Sequence, residues 1–124
     1  MDRNTDQRKA IRTVFDRPTR PLSPTEIHET ARKKLPNLGI ATVYRTLNLL
    51  VSQGWLVEVE LPGEPSRYER ADIPHHHHFH CRSCGKVFDL KGCSGNFRSL
   101  VPRGFKMDSH EVVLYGRCKE CVAA

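Results

Sequence analysis

The chain has 124 residues, 38% hydrophobic and 27% charged, which suits one domain or two small ones and excludes a large multidomain enzyme or a TIM barrel. Its mean hydropathy is −0.54, and its longest apolar runs, 49–51 and 112–115, fall far short of the roughly 18 to 20 residues a membrane-spanning helix needs. The formal charge of +6 is uneven, with 10 basic and 5 acidic residues in 1–57 against 10 and 9 in 58–124. A basic first half points to nucleic acid, although charge alone also serves solubility.

Nine aromatic residues leave a thin core for this length, so something besides apolar burial is expected to support the fold. Five cysteines and seven histidines are the candidates. No apolar stretch follows Met1 that would act as a signal peptide, so the expected location is the reducing cytoplasm, where thiols favour metal over disulfide.

In chain order, Thr5 is placed to cap a first helix whose apolar positions Ala10, Ile11, Val14 and Phe15 follow a 3.6 period and stop before Pro18. Ser23-Pro24-Thr25-Glu26 is a stronger start: an N-cap serine, proline at the first helical position and a glutamate set to close a capping box. Ile27, Ala31 and Leu35 form the inner stripe of this second helix, and Pro36 to Gly39 break it. A third helix begins near Ala41, with Val43, Leu47, Leu50 and Val51 inward and Gly54 closing it. The period then changes to alternation, with Trp55, Val57, Val59 and Leu61 on one face of a strand and Glu58 and Glu60 on the other. Pro62 to Pro65 are a turn, and Ser66 to Arg70 the returning strand. Three helices and a two-stranded wing make a winged helix-turn-helix over 1–70. The remainder, 71–124, is a small α/β unit: strands through Phe79, at 86–90 and at 111–115, and a short helix near 97–101. The fold class expected is therefore α+β.

The third helix is the one placed to read DNA. Its outward face carries Thr42, Tyr44, Arg45 and Asn48. Arg45 suits a guanine edge or a phosphate pair, Tyr44 a phosphate or a thymine methyl, and Thr42 a phosphate. Arg3 and Arg8 beside the first helix suit a basic arm that follows the backbone or enters the minor groove. The plainer reading is a solvated face of an amphipathic helix.

Cys81-Arg82-Ser83-Cys84 and Cys118-Lys119-Glu120-Cys121 are two CxxC pairs, the first followed by Gly85. Each lets two thiolates grip one ion, and together they supply the closed tetrahedron of a structural zinc site, unsuited to catalysis. With 33 residues between the pairs, the ion should clip a strand-helix-strand unit rather than a hairpin. Cys93 is left over as a core thiol. Five histidines, His75, His76, His77, His78 and His80, fall within six positions. On a strand His76, His78 and His80 share one face and His75 and His77 the other, and Glu69, Asp89 and His110 are candidates to complete a metal site there.

The stretches 39–47 (GIATVYRTL) and 75–87 (HHHHFHCRSCGKV) closely resemble the ferric uptake regulator family of metal-dependent bacterial repressors, with similarity from about Arg3 to Cys121. The resemblance implies homodimers built on a C-terminal dimerisation domain that bind palindromic double-stranded operators when loaded with a divalent metal. By position it implies zinc on Cys81, Cys84, Cys118 and Cys121, with Tyr44 and Arg45 as the DNA-contacting pair and Arg3 as the minor-groove arm. A regulatory divalent ion (Zn2+, Fe2+ or Mn2+) would sit at the interdomain hinge on Glu69, His76 and His78. A further site would match His75, His77 and His110, with Asp89 beside one of the two. The pattern departs from the family at Pro21, where a ligand histidine often stands, at His77 in place of an aspartate, and near Ala71, where a cysteine is absent; His80 and Cys93 match no family ligand.

Two alternatives stand beside the repressor. One is a peroxide sensor on the same scaffold, in which bound iron oxidises a histidine ligand; Asp89 occurs in such members. The other is a zinc hydrolase with Glu69, Asp89 or Glu111 as general base, although no His-Glu-x-x-His helix is present. The expectation is a protein that is not an enzyme.

Overall fold

A computed structural model describes residues 3–16, 20–74, 76–92 and 95–124, the side chains of residues 3 and 4 excepted. The chain divides into two units, Met1–Ile73 and Pro74–Ala124. His75 and Cys93 lie outside the described residues.

The first unit holds helices α1 (Arg3–Val14), α2 (Pro24–Ala31) and α3 (Ile40–Ser52), then strands β1 (Leu56–Val59) and β2 (Arg67–Arg70). The start of α2 follows from its first four residues. Glu26 N–H donates to Ser23 Oγ at 3.2 Å, Ser23 N–H donates back to Glu26 Oε1 at 3.1 Å, and Pro24 occupies the position where no N–H is wanted. Arg20 reinforces this box by an ion pair to Glu26 Oε2 at 2.6 Å. Burial pushes the Glu26 carboxyl up, but Arg20 and the Ser23 N–H outweigh it and hold the group below its ordinary value.

Helix α3 closes with its carbonyls satisfied by Gln53 and Gly54 N–H, and Gly54 takes φ +76°, a conformation that glycine alone adopts without strain. The helices bury Ile11 and Phe15 from α1 and its exit, Ile27 and Ala31 from α2, and Val43, Leu47 and Leu50 from α3. β1 and β2 pair antiparallel with Val57 opposite Glu69, and Leu22 joins as a one-residue third strand by exchanging two hydrogen bonds with Tyr68 at 2.8 and 2.9 Å. The wing is thereby tied to the entry of α2. The fold is a winged helix.

Two local expectations are corrected. Helix α1 starts at Arg3, so Thr5 lies inside it and does not cap it. In β1 the buried residues are Leu56 and Val59, while Val57 is 41% exposed. Trp55 lies before the strand, edge-on to Phe15 with ring centroids 6.0 Å apart. Val59 and Leu61 are buried as the alternation requires, so the strand keeps its phase there and departs from it only at Leu56 and Val57. Thr46 is also buried among the apolar positions of α3.

The second unit centres on β3 (His76–Cys81), flanked by β4 (Val87–Lys91), antiparallel, and β5 (Val113–Gly116), parallel. The parallel pair requires a crossover, which carries a 3-10 turn at Phe97–Leu100. Helix α4 (Lys119–Ala123) follows β5. Among the described residues of this unit the only buried apolar side chains are Cys81 and Val87. The thin core expected from composition is concentrated here.

Candidate metal centres and nucleic-acid interface

The two CxxC pairs meet. Cys81 ends β3, Cys84 follows in the turn before β4, and Cys118 and Cys121 lie at and within the start of α4, so the clip encloses β4, the 3-10 turn and β5. The Cys81 and Cys121 sulfurs are 3.6 Å apart and those of Cys84 and Cys118 3.8 Å. All four lie within 4.8 Å of one another. A sulfur tetrahedron with Zn–S bonds near 2.3 Å has edges of about 3.8 Å, whereas a disulfide would bring two sulfurs to about 2.05 Å. The observed spacing fits one zinc ion and excludes a bridge.

The backbone shapes this cage. The N–H groups of Cys84 and Cys118 donate to Cys81 Sγ at 3.4 and 3.3 Å, and Gly85, at φ +79°, closes the turn by donating its N–H to the Cys81 carbonyl at 2.9 Å. Those donors pull the Cys81 thiol down to about 5, while the neighbouring Cys118 and Cys81 sulfurs push Cys121 up to about 12. One thiolate suppresses ionisation of the others, a conflict that a dication removes.

On β3, His76 and His78 share a face as the alternation requires, and Asp89 of β4 stands directly across from His78. The Nε2 atoms of both rings lie 3.4 Å from the same Asp89 Oδ1, and the ring centroids are 4.8 Å apart. His76 Nδ1–H donates to the Pro74 carbonyl at 2.8 Å, which leaves its Nε2 lone pair directed at a carboxylate oxygen when the ring is neutral. A lone pair facing a carboxylate oxygen is relieved by a proton on the ring or by a metal ion between the two. Ligand bonds near 2.1 Å in a tetrahedron give edges of about 3.4 Å, so the donor set fits a divalent metal. Glu69 is buried on β2 in the first unit.

The other histidines differ. Val112 N–H donates to His77 Nδ1 at 3.2 Å, so a neutral His77 carries its proton on Nε2 and serves to pin 110–112 beside β3. His110 lies 5.1 Å from it, ring to ring, with Phe97 4.6 Å from His110. His80 is buried and packs edge-on to Tyr115 at 5.7 Å. Pro21 is buried where the family often has a ligand histidine. His28, which carried no expectation, donates from Nε2 to the Leu38 carbonyl at 2.7 Å and fixes the loop before α3.

The outward face of α3 is as the period required: Tyr44 is 49% exposed, and Arg45 and Asn48 are exposed. Thr42 is half-buried and accepts a hydrogen bond from Arg45 Nη2 at 3.0 Å. Arg8 is exposed on α1, and Arg3 is helical, its side chain outside the described residues.

A winged helix joined to a sheet unit with a four-thiolate zinc cage and a histidine-carboxylate cluster defines a metal-responsive transcriptional regulator. The chain belongs to the ferric uptake regulator family, whose model matches residues 2–115. It is 33% identical to the ferric uptake regulation protein of Campylobacter jejuni over 94% of this chain and 78% of that protein. It is 34% identical to the zinc uptake regulation protein of Mycobacterium tuberculosis over 96% of this chain and 94% of that one. Among solved structures, that of the Helicobacter pylori ferric uptake regulator, described as having three functional metal binding sites, matches with a TM-score of 0.76 at 33% identity, covering 94% of this chain and 79% of that chain. An iron and a zinc regulator at near-equal identity leave the choice of metal to the ligands themselves.

Proposed function

We propose that this protein is a homodimeric repressor that binds a palindromic DNA operator when a divalent ion occupies the His76, His78 and Asp89 cluster, with Glu69 as a further ligand from the first unit. The observation that carries the reading is the pair of 3.4 Å edges from two imidazole nitrogens to one carboxylate oxygen. Glu69 is seven positions before His76 in the chain, so it can act as a ligand whose capture restrains the winged helix. The four-cysteine cage holds the fold and does not switch.

Metal gates DNA binding only through preference for the binding-competent arrangement. Moving that population from 1:99 to 99:1 needs about 5.5 kcal/mol, within reach of divalent-metal binding. β5 leaves Leu114 and Tyr115 50% and 41% exposed at the sheet edge, apolar surface suited to a second copy of the chain. Tyr44, Arg45, Asn48 and Thr42 of α3 meet the DNA, with Arg8 and Arg3 beside them. A repressor acts where DNA is, hence in the cytoplasm, and no described helix is long and apolar enough to cross a membrane.

The test is DNA binding titrated with Zn2+, Fe2+ and Mn2+ on wild type and on Glu69→Ala and His78→Ala. Wild type should bind an operator selected from a random library only with metal, and both variants should lose the metal dependence while retaining one zinc per chain. Metal-independent binding by wild type would overturn the gating.

A further inference from the structure

The last residues of the wing are fastened to the helices at a single aromatic ring. Trp55, the chain's one tryptophan, stands edge-on to Phe15, and two guanidiniums lie over it: Arg12 of α1, with its Cζ 4.7 Å from the ring centroid, and Arg70, the last residue of β2, at 5.5 Å. Ala71 N–H donates to the Trp55 carbonyl at 3.0 Å, which carries the β1–β2 ladder one step past its end, and Arg70 Nη2 pairs with Asp72 Oδ2 at 2.6 Å. A two-stranded ribbon of four-residue strands frays at its ends unless something holds them, and here the held end carries Glu69. Neighbours on a strand point to opposite faces, so Arg70 shares the helix side with the core residue Tyr68, and Glu69 points to the other side. Beyond Asp72 only three positions, 73–75, precede β3, and they include Pro74, which fixes its own φ and restricts Ile73 before it.

Resting on the reading above in which Glu69 is a ligand of the regulatory ion, we infer that Arg70 is the positioning residue for Glu69. Stacked on Trp55 and paired with Asp72, it holds the end of β2 so that the Glu69 carboxylate is presented on a rigid frame and not on a fraying strand end. The gain is entropic: a ligand ordered before the ion arrives loses less freedom on capture, and a short, stiff connection keeps its effective concentration at the second unit's ligands high. The same clamp gives the ion a hold on the whole first unit. A restraint placed on Glu69 passes through Arg70 to Trp55, and from Trp55 through Phe15 and Arg12 to α1, so capture of one carboxylate restrains the winged helix and not merely the end of its wing. Trp55 is thereby a built-in reporter, since any shift of Arg70 alters the surroundings of the one indole in the chain.

The experiment follows Zn2+, which does not quench indole emission, into the second site of the full-length chain with its cysteine cage already loaded, reading affinity against a competing chelator together with Trp55 emission. Arg70→Ala should weaken Zn2+ at this site about fivefold, the scale of one cation–π contact, and Arg70→Lys, which keeps a cation over the ring, should restore most of it. In the Glu69→Ala background Arg70→Ala should change nothing further, because Arg70 acts through that carboxylate. Trp55 emission should shift on Zn2+ binding in wild type and stay still in Glu69→Ala. Urea unfolding of the first unit separates positioning from stability: an Arg70→Ala variant that lowers the unfolding midpoint and leaves Zn2+ affinity unchanged makes Arg70 a structural residue and overturns the inference. A loss of Zn2+ affinity equal in size with and without Glu69 also overturns it, as does wild-type emission that ignores Zn2+. If Glu69→Ala itself binds Zn2+ as tightly as wild type, Glu69 is not a ligand and the reading beneath has failed, a result separable from the others.

Discussion

Replacing Cys84 by serine should unfold the second unit while leaving the winged helix standing. Among its described residues this unit buries only Cys81 and Val87 as apolar side chains, each worth about 1.5 to 3 kcal/mol at most, which does not offset the ordering of some fifty residues. Bridging Cys81 to Cys118 closes a loop of 37 positions, and by the chain-entropy relation a cross-link of that span contributes about 4 kcal/mol. A unit this size has a total stability of only about 3 to 8 kcal/mol, so losing the clip removes most of it. Zinc content by mass spectrometry should fall from one per chain toward zero in Cys84→Ser. Far-UV circular dichroism should keep the helical signal of α1 to α3 while amide protection along β3 to β5 disappears. Chelation of the wild-type protein should reproduce this. A Cys84→Ser variant with no zinc but full protection of β3 would show that the ion is not what holds the unit and would refute the reasoning.

The winged helix should respond to ordinary core chemistry: Leu47, with no exposed surface, changed to alanine should cost about 2 to 5 kcal/mol in denaturant unfolding of the first unit and leave zinc content unchanged. Ser23→Ala should cost about 1 kcal/mol through the lost cap. The Glu26 carboxyl has a folded pKa below its unfolded one, so its contribution is present above the unfolded value and is lost as pH falls through the folded value. In urea titrations Glu26→Gln should therefore flatten the acid limb of wild-type stability while changing nothing in its shape above neutrality. Asp89→Asn keeps size but removes the charge that both imidazoles face, and should weaken the second metal as seen by calorimetry while the cage keeps its zinc.

Signals that depend on neighbours along the chain were legible without coordinates. The Ser-Pro-Thr-Glu start of α2, the inward spacing of α3, and the two CxxC pairs are local chemistry, and each appears where the residues placed it. The pairing of His76 with His78 also follows from the two-residue repeat of a strand.

What the chain could not announce was which residues meet across elements. Asp89 joins His76 and His78 because the β3–β4 register sets it opposite His78, and a shift of one position would have turned it away. His77 becomes a structural ring because the parallel pairing of β5 brings the Val112 N–H to its Nδ1. Leu56 is buried and Val57 exposed, although strict alternation from Val59 puts Val57 inward. Arg8 and Arg45, 37 positions apart, share a cleft only because α1 and α3 pack together. Spacing and capping are settled by bonds and turns a few residues long, so sequence determines them alone; register, strand phase and clefts depend on burial summed over distant residues, and only the folded chain decides them.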